Sequence, residues 1–353
     1  MRILYGLAGE GFGHSSRAKT IIPYLEKKGH RVTIITYGQA LESLDKSKFR
    51  IFPIKGPHII FKNNILNKSK TIKVSIRNLL SNLKNSKEIY KLMKQNFDLC
   101  ISDMELTVSL LSSIYSIPLI SIDNQHRLTN LEVNTPIPKK YKKEFLIAKG
   151  IIKAFAIKPD FYIITSFVKA KIKKKYKKNT FVVPPIIRPE VLRLKDKTED
   201  KDFILVYLTK KNPRVLETLK RINEKFKIYG HEKNKKEKNL EFKKTGDHFI
   251  FDLAKCKAVI ASAGFTLISE AIYLKKPYFA IPLQGQFEQT INAISLKKHR
   301  IGDYSESPKK EDIEEFISKL KIYRERLKKY PINEKEIFRA IDKVLGIIEN
   351  SKA

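Results

Sequence analysis

Short apolar runs alternate along this chain with longer stretches whose apolar residues recur at helical spacing, and the alternation occurs twice. In the first half the runs at residues 2–7, 31–36, 98–101, 118–122 and 161–164 read as buried strands, and helices are expected over 15–28, 71–95, 104–115 and 141–149. Strands and helices in this order predict a parallel sheet with helices on both faces. Pro23 falls inside the first helical pattern and is expected to kink it. The run Phe181 to Val183 leads into Pro184-Pro185, Arg188-Pro189 and the polar stretch Lys195 to Asp202, which reads as a linker. A second alternation opens with Phe203 to Leu208 and Lys225 to Tyr229. The tail, Glu311 to Ser351, keeps helical spacing broken by Pro331. The expected division is a first domain over 1–184, a linker over 185–202, a second domain over 203–334, and a final helix over 335–353.

Two strand-to-helix turns carry candidate chemistry. The apolar run Ala258 to Ala261 enters a turn at Ser262, Ala263 and Gly264, with a helix expected to open at Phe265 or Thr266. Free N–H groups at a helix N-terminus, with the positive end of its dipole, stabilise a phosphate there. Thr266 adds a hydroxyl. Glu270, one turn on, is spaced to reach back toward a ribose, although the same position suits an ordinary acid on a helix surface. The following run, Tyr278 to Pro282, delivers Gln284, Gly285, Gln286, Glu288 and Gln289 to the carboxyl end of a strand, where open α/β sheets bind ligands. Polar amides and an acid there suit a sugar.

At the amino end, Arg2 to Leu7 runs into Gly9, Gly11 and Gly13, then His14 and a helix expected from Ser15 or Ser16. A dinucleotide fingerprint would place its third glycine where His14 stands and an acid after the second strand. That strand ends instead in Tyr37 and Gly38, so NAD binding is disfavoured. His14 beside a helix N-terminus stays neutral enough to accept a proton, and Asp103, ending another strand, is placed to hold its other ring nitrogen. Asp103 equally suits an N-cap for the next helix. Asp123 and His126 follow a third strand, as ligands of an acceptor or as parts of a polar loop.

The segment from Ser262 through Glu270, Lys276-Pro277, Pro282 and Glu288-Gln289 to Asn292-Ala293 resembles the donor-binding half of the GT-B glycosyltransferases, the superfamily that includes MurG and the UDP-glucuronosyltransferases. The stretch Gly9 to Ala18 resembles the first glycine-rich loop of the same enzymes. The resemblance implies an α/β GT-B fold: two Rossmann-like domains whose parallel sheets face a central cleft, with the last helix returning to the first domain. It implies donor diphosphate at Gly264, Phe265 and Thr266, ribose at Glu270, and the transferred sugar at Gln286, Glu288 and Gln289. It makes His14 the base, Asp103 its orienting acid, and Gly11, Gly13 and Arg17 cleft residues, with Arg17 also open to a structural ion-pair role; Asp123 and His126 are further cleft candidates by their place at a strand's carboxyl end. Two departures stand out. The loop after Leu208 lacks the family's glycine, leaving Lys210 or Lys211 to neutralise a phosphate, and the diphosphate turn keeps one glycine of a commonly paired motif.

Composition adds an open question. The 353 residues carry a formal net charge of +34, and basic runs occupy 139–143, 169–178 and 233–238. That sign suits phosphate-rich ligands, an anionic membrane or nucleic acid, and equally a lysine-rich solvated surface. The runs lack the interleaved aromatics that nucleic-acid modules use, so nucleic acid is the least favoured partner. Seven His without an HxxxH spacing predict no metal site and no cofactor. Two Cys in apolar surroundings predict reduced thiols. No apolar run of membrane-spanning length and no signal peptide are seen, so a cytoplasmic protein is expected, with peripheral contact at the inner membrane face in view. The expected activity is metal-independent, inverting transfer of a sugar, a hexosyl group, from a nucleoside-diphosphate donor, most simply UDP-linked, to an acceptor hydroxyl that is lipid-linked or anionic. A nucleotide-sugar 2-epimerase of the same fold is the alternative.

Overall fold

The computed structural model describes residues 1–56, 61–62, 65–66, 74, 77–78, 86–132, 137–210, 212–231, 233–246 and 248–351. Its contacts group into two compact units, Met1–Ile186 with Asn333–Ala353, and Ile187–Ile332.

The first unit contains β1 (Arg2–Leu7), β2 (Arg31–Thr36), β3 (Ile51–Pro53), a two-residue pair β4 (Phe61–Lys62) and β5 (Ile65–Leu66), then β6 (Leu99–Asp103), β7 (Leu119–Asp123), β8 (Phe161–Thr165) and β9 (Thr180–Val183). Seven of these form one sheet in the order β3-β2-β1-β6-β7-β8-β9, with parallel ladders throughout. Strand order therefore reverses between β1 and β6, and ligands of such sheets gather at the carboxyl ends of the strands flanking that switch. Both strands are almost wholly buried, which is why they read as continuous apolar runs. Helix Glu336–Asn350 packs Ile337, Ile341, Val344, Leu345 and Ile348 into the core that holds Ile3, Tyr5 and Ile21, and Tyr24 donates to Asp342 Oδ2 at 2.7 Å across the same contact.

The second unit contains β10 (Lys201–Tyr207), β11 (Phe226–Tyr229), β12 (Lys235–Glu237), β13 (Leu240–Phe242), β14 (Cys256–Ala261), β15 (Tyr278–Ala280) and β16 (Gly302–Tyr304). They form a sheet in the order β12-β13-β11-β10-β14-β15-β16, antiparallel only between β12 and β13. Here the switch lies between β10 and β14.

Three local expectations are revised. The first helix spans Phe12 to Lys27 with Pro23 inside it, and begins three residues before Ser15 because Gly11, at φ 81°, turns the chain into it. The segment read as a linker is built into the second unit from Ile187 onward: helix Pro189–Leu192 buries Val191, and Leu194 is buried beside it. Of the helix expected over 71–95, Ser86–Met93 is present; most of 71–85 lies outside the described residues.

Candidate active site

The first unit gathers its polar residues at the switch between β1 and β6. Gly9 lies against the Tyr37 ring, where a Cβ would come within 2.3 Å of ring and backbone atoms, so only glycine lets this loop pass. Gly11, whose N–H donates to Gln39 Oε1 at 2.9 Å, caps the helix that carries Gly13, His14 and Arg17 in its first turns. His14 Nδ1 lies 2.8 Å from Asp103 Oδ1, at the end of β6. Asp103 can only accept, so this contact calls for the proton on Nδ1 and leaves Nε2 to act as a base, while an Arg17 terminal nitrogen, a donor, lies 3.0 Å from the same Nδ1.

Arg17 completes this arrangement. Its Nε donates to Asp103 Oδ2 at 2.8 Å and one terminal nitrogen to Oδ1 at 2.8 Å, while the other reaches Asn124 Oδ1 at 3.3 Å. Asp103 is fully buried; burial alone would push its pKa up, but Arg17 and His14 together hold it below the ordinary carboxylate value. Arg17, proposed above as a cleft residue, is itself buried and serves the dyad as an ion-pair partner. The cap that Asp103 could have supplied comes from Glu105, whose carboxylate accepts from the N–H groups of Thr107 and Val108 at 2.9 and 2.7 Å. Met104 adopts φ 56° between them, and that turn sends the two acids to different tasks.

A second imidazole–carboxylate pair ends the neighbouring strand. His126 Nδ1 lies 2.6 Å from Asp123 Oδ2, which also accepts from the Ser121 hydroxyl at 2.7 Å, and the His126 N–H donates to Oδ1 at 2.8 Å. Against the upward pull of burial, these contacts hold the Asp123 carboxyl down at about 2. Both side chains are buried, with the His126 ring 4.9 Å from that of Tyr162. The residues expected to meet an acceptor thus spend their polar atoms largely on one another.

In the second unit the loops flanking the β10–β14 switch carry the expected donor residues. Gly264 is the N-cap of helix Phe265–Tyr273, with Thr266 partly exposed and Phe265 buried. The turn before it is fixed from several sides: Tyr278 donates its hydroxyl to the Ser262 carbonyl at 2.6 Å, Ser262 Oγ accepts from the Thr209 N–H at 3.2 Å, and the buried Asn292 amide donates to the Ala263 carbonyl at 2.9 Å. Lys210 follows β10, its pKa lowered by partial burial; Lys211 lies outside the described residues. Gln289 donates to Gln286 Oε1 at 2.6 Å and accepts from the Leu283 N–H at 3.0 Å, so its amide shapes the loop that also holds Glu288. Lys276 is buried against Asp200 at 2.9 Å, a structural anchor.

Glu270 departs from expectation. Its side chain is 1 % exposed, and both carboxylate oxygens are taken by Arg188, Nε to Oε1 at 2.6 Å and a terminal nitrogen to Oε2 at 2.8 Å. Periodicity gives no hint of a partner 82 residues away, and Arg188 sits among prolines in the stretch that resembled a linker.

Two Rossmann-like units, each with candidate residues at its topological switch, define a glycosyltransferase of the GT-B fold. The chain belongs to glycosyl transferase family 1, whose model matches residues 1–321. It is 24 % identical to an uncharacterized glycosyltransferase of Methanosarcina mazei over 93 % of each chain. Among solved structures it is similar to a UGT transferase from Siraitia grosvenorii in complex with UDP, at 15 % identity and TM-score 0.68, covering 99 % of this chain and 100 % of that one. It is also similar to the spinosyn rhamnosyltransferase SpnG complexed with thymidine diphosphate, at 12 % identity and TM-score 0.63, covering 97 % and 100 %. Among the described residues no group of three His, Cys, Asp or Glu could hold a metal ion, and no helix is long and apolar enough to cross a membrane.

Proposed function

We propose that this glycosyltransferase moves a sugar from a nucleoside-diphosphate donor, UDP-linked in the simplest case, to an acceptor hydroxyl with inversion and without a metal ion. The observation that carries the reading is the His14–Asp103 pair, with His14 in the helix that follows β1 and Asp103 at the end of β6, the two strands flanking the first sheet's switch. Nε2 of His14 takes the hydroxyl proton as the acceptor oxygen attacks the anomeric carbon. The bond from that carbon to the diphosphate oxygen breaks in the same displacement, which inverts the centre. The departing charge is met by the N–H groups at Gly264 to Thr266 and by Lys210. The solved relatives bound to UDP and to thymidine diphosphate support a diphosphate donor and leave two bases for the test.

The acceptor belongs, in this reading, to the lipid-linked class. Lys139 to Lys143 and Lys169 to Lys178 are both in the first unit, and helix Lys142–Phe155 exposes Leu146 and Ile151. Lysines beside exposed apolar side chains suit an anionic membrane surface. Sedimentation with vesicles of phosphatidylglycerol, but not of phosphatidylcholine, is the expected result.

His14→Ala tests the base. Positioned general-base catalysis contributes about 10² to 10⁴ in rate, so kcat falls by that order while donor binding persists. Full transfer by a folded His14→Ala protein, or a product of retained configuration by NMR, contradicts the mechanism.

A further inference from the structure

The basic run at 233–238 supplies the edge strand β12, which pairs antiparallel with β13 and sets Lys236 opposite Glu241. Beside this ladder lies a cavity of about 680 Å³, lined by Asn234, Lys235 and Lys236 on one side and by Glu241, Lys243 and Lys244 on the other. The Lys244 N–H donates to Asn234 Oδ1 at 3.0 Å, which ties the two sides together and fixes the frame before any ligand arrives. The charge is one-sided, four lysines against one glutamate. Lys235 is spent on Glu237 at 3.0 Å, and Lys243 is shared between Asp252 at 3.2 Å and Glu241 at 3.5 Å. Lys236 and Lys244 are exposed and have no ion-pair partner among the described residues. Ammonium groups gathered without counter-ions repel one another, and an anion placed between them removes that cost.

We propose that this cavity is a second anion site, taking a linear oligophosphate, free or carried on a nucleoside. Its size suits more than a single phosphate, since cavities of about 300–1,000 Å³ hold whole small molecules. It is set apart from the turn assigned to the donor diphosphate: β13 stands three places from β14 in the sheet, ~14 Å at the spacing of paired strands, and Gly264 follows β14. A nucleobase does not account for it, because an uncharged ring leaves the two unpaired ammonium groups without a counter-ion. The inference goes beyond the transfer reaction and stands whether or not the donor is UDP-linked.

Calorimetry with inorganic tripolyphosphate, in an excess of UDP and at physiological salt, tests it. The wild-type protein is expected to bind one tripolyphosphate, and the double substitution Lys236→Ala with Lys244→Ala to weaken it by about tenfold or more. Lys174→Ala with Lys177→Ala removes the same charge from exposed positions of the first unit and is expected to leave the affinity unchanged. ATP run beside tripolyphosphate names the source, tighter binding of ATP meaning a nucleoside triphosphate and equal or weaker binding a free oligophosphate. Absence of binding under excess UDP makes the cavity part of the donor site or no site at all, and overturns the proposal. Equal weakening by the two double substitutions, or none by Lys236→Ala with Lys244→Ala, reduces the effect to diffuse attraction by a basic chain and overturns it as well.

Discussion

Arg17 grips both oxygens of Asp103, each at 2.8 Å, and one of those oxygens is the same one that His14 uses. The carboxylate is thereby oriented by a residue that does not titrate, and the histidine ring is held through it. Removing Arg17 leaves a buried carboxylate with its guanidinium gone, which costs about 3–5 kcal/mol for a broken buried pair. Arg17→Met is expected to lower the melting temperature clearly, and adding Asp103→Asn to the same protein is expected to recover much of that loss. A double variant no more stable than Arg17→Met would contradict the coupling.

Acid stability follows from Asp123. Burial raises its pKa, but His126 and the accompanying hydrogen bonds outweigh that and hold the folded carboxyl at about 2, below its ordinary value of 3.8. A depressed folded pKa means the contribution is complete above the ordinary value and is lost as pH falls from about 4 toward 2, amounting to about 2 kcal/mol. Urea unfolding at stepped pH checks this. The wild-type protein should lose stability across that window more steeply than Asp123→Asn.

Both thiols should be inert in the folded protein. Cys100 and Cys256 are fully buried, and burial pushes each pKa up to about 12, so almost no thiolate is present near neutrality. Iodoacetamide at pH 8 is expected to leave both unmodified in native protein and to label both in urea, as read by mass spectrometry. Rapid native labelling of either would contradict the packing.

Much of this site was legible in the chain because its residues stand directly after apolar strands. The runs ending at Leu7, Asp103 and Ala261 announce buried parallel strands, and the polar residues that follow them fall at the carboxyl edge of a sheet. The His14–Asp103 contact could be anticipated on that ground; its choice over capping could not, because one residue at positive φ, Met104, hands the cap to Glu105. The helix start at Phe12 was hidden in a similar way, since Ser15 and Ser16 offer better capping side chains than the Gly11 that does the turning. Arg17 binding Asn124, and Arg188 binding Glu270, join residues 107 and 82 positions apart. Such pairs are set by packing of whole elements, which no local pattern encodes. The two-strand ladder β12–β13 was equally invisible, being short, half polar and lysine-rich.

The most direct test of donor recognition is a thermal-shift series with UDP, thymidine diphosphate and their sugar conjugates in EDTA. A ligand at 100 times its dissociation constant stabilises the fold that binds it by about 2.7 kcal/mol, so the account predicts a concentration-dependent rise in melting temperature with at least one diphosphate and its sugar, undiminished by the chelator. No rise with any of them, or a rise that requires a divalent cation, would contradict a metal-independent nucleotide-sugar transferase.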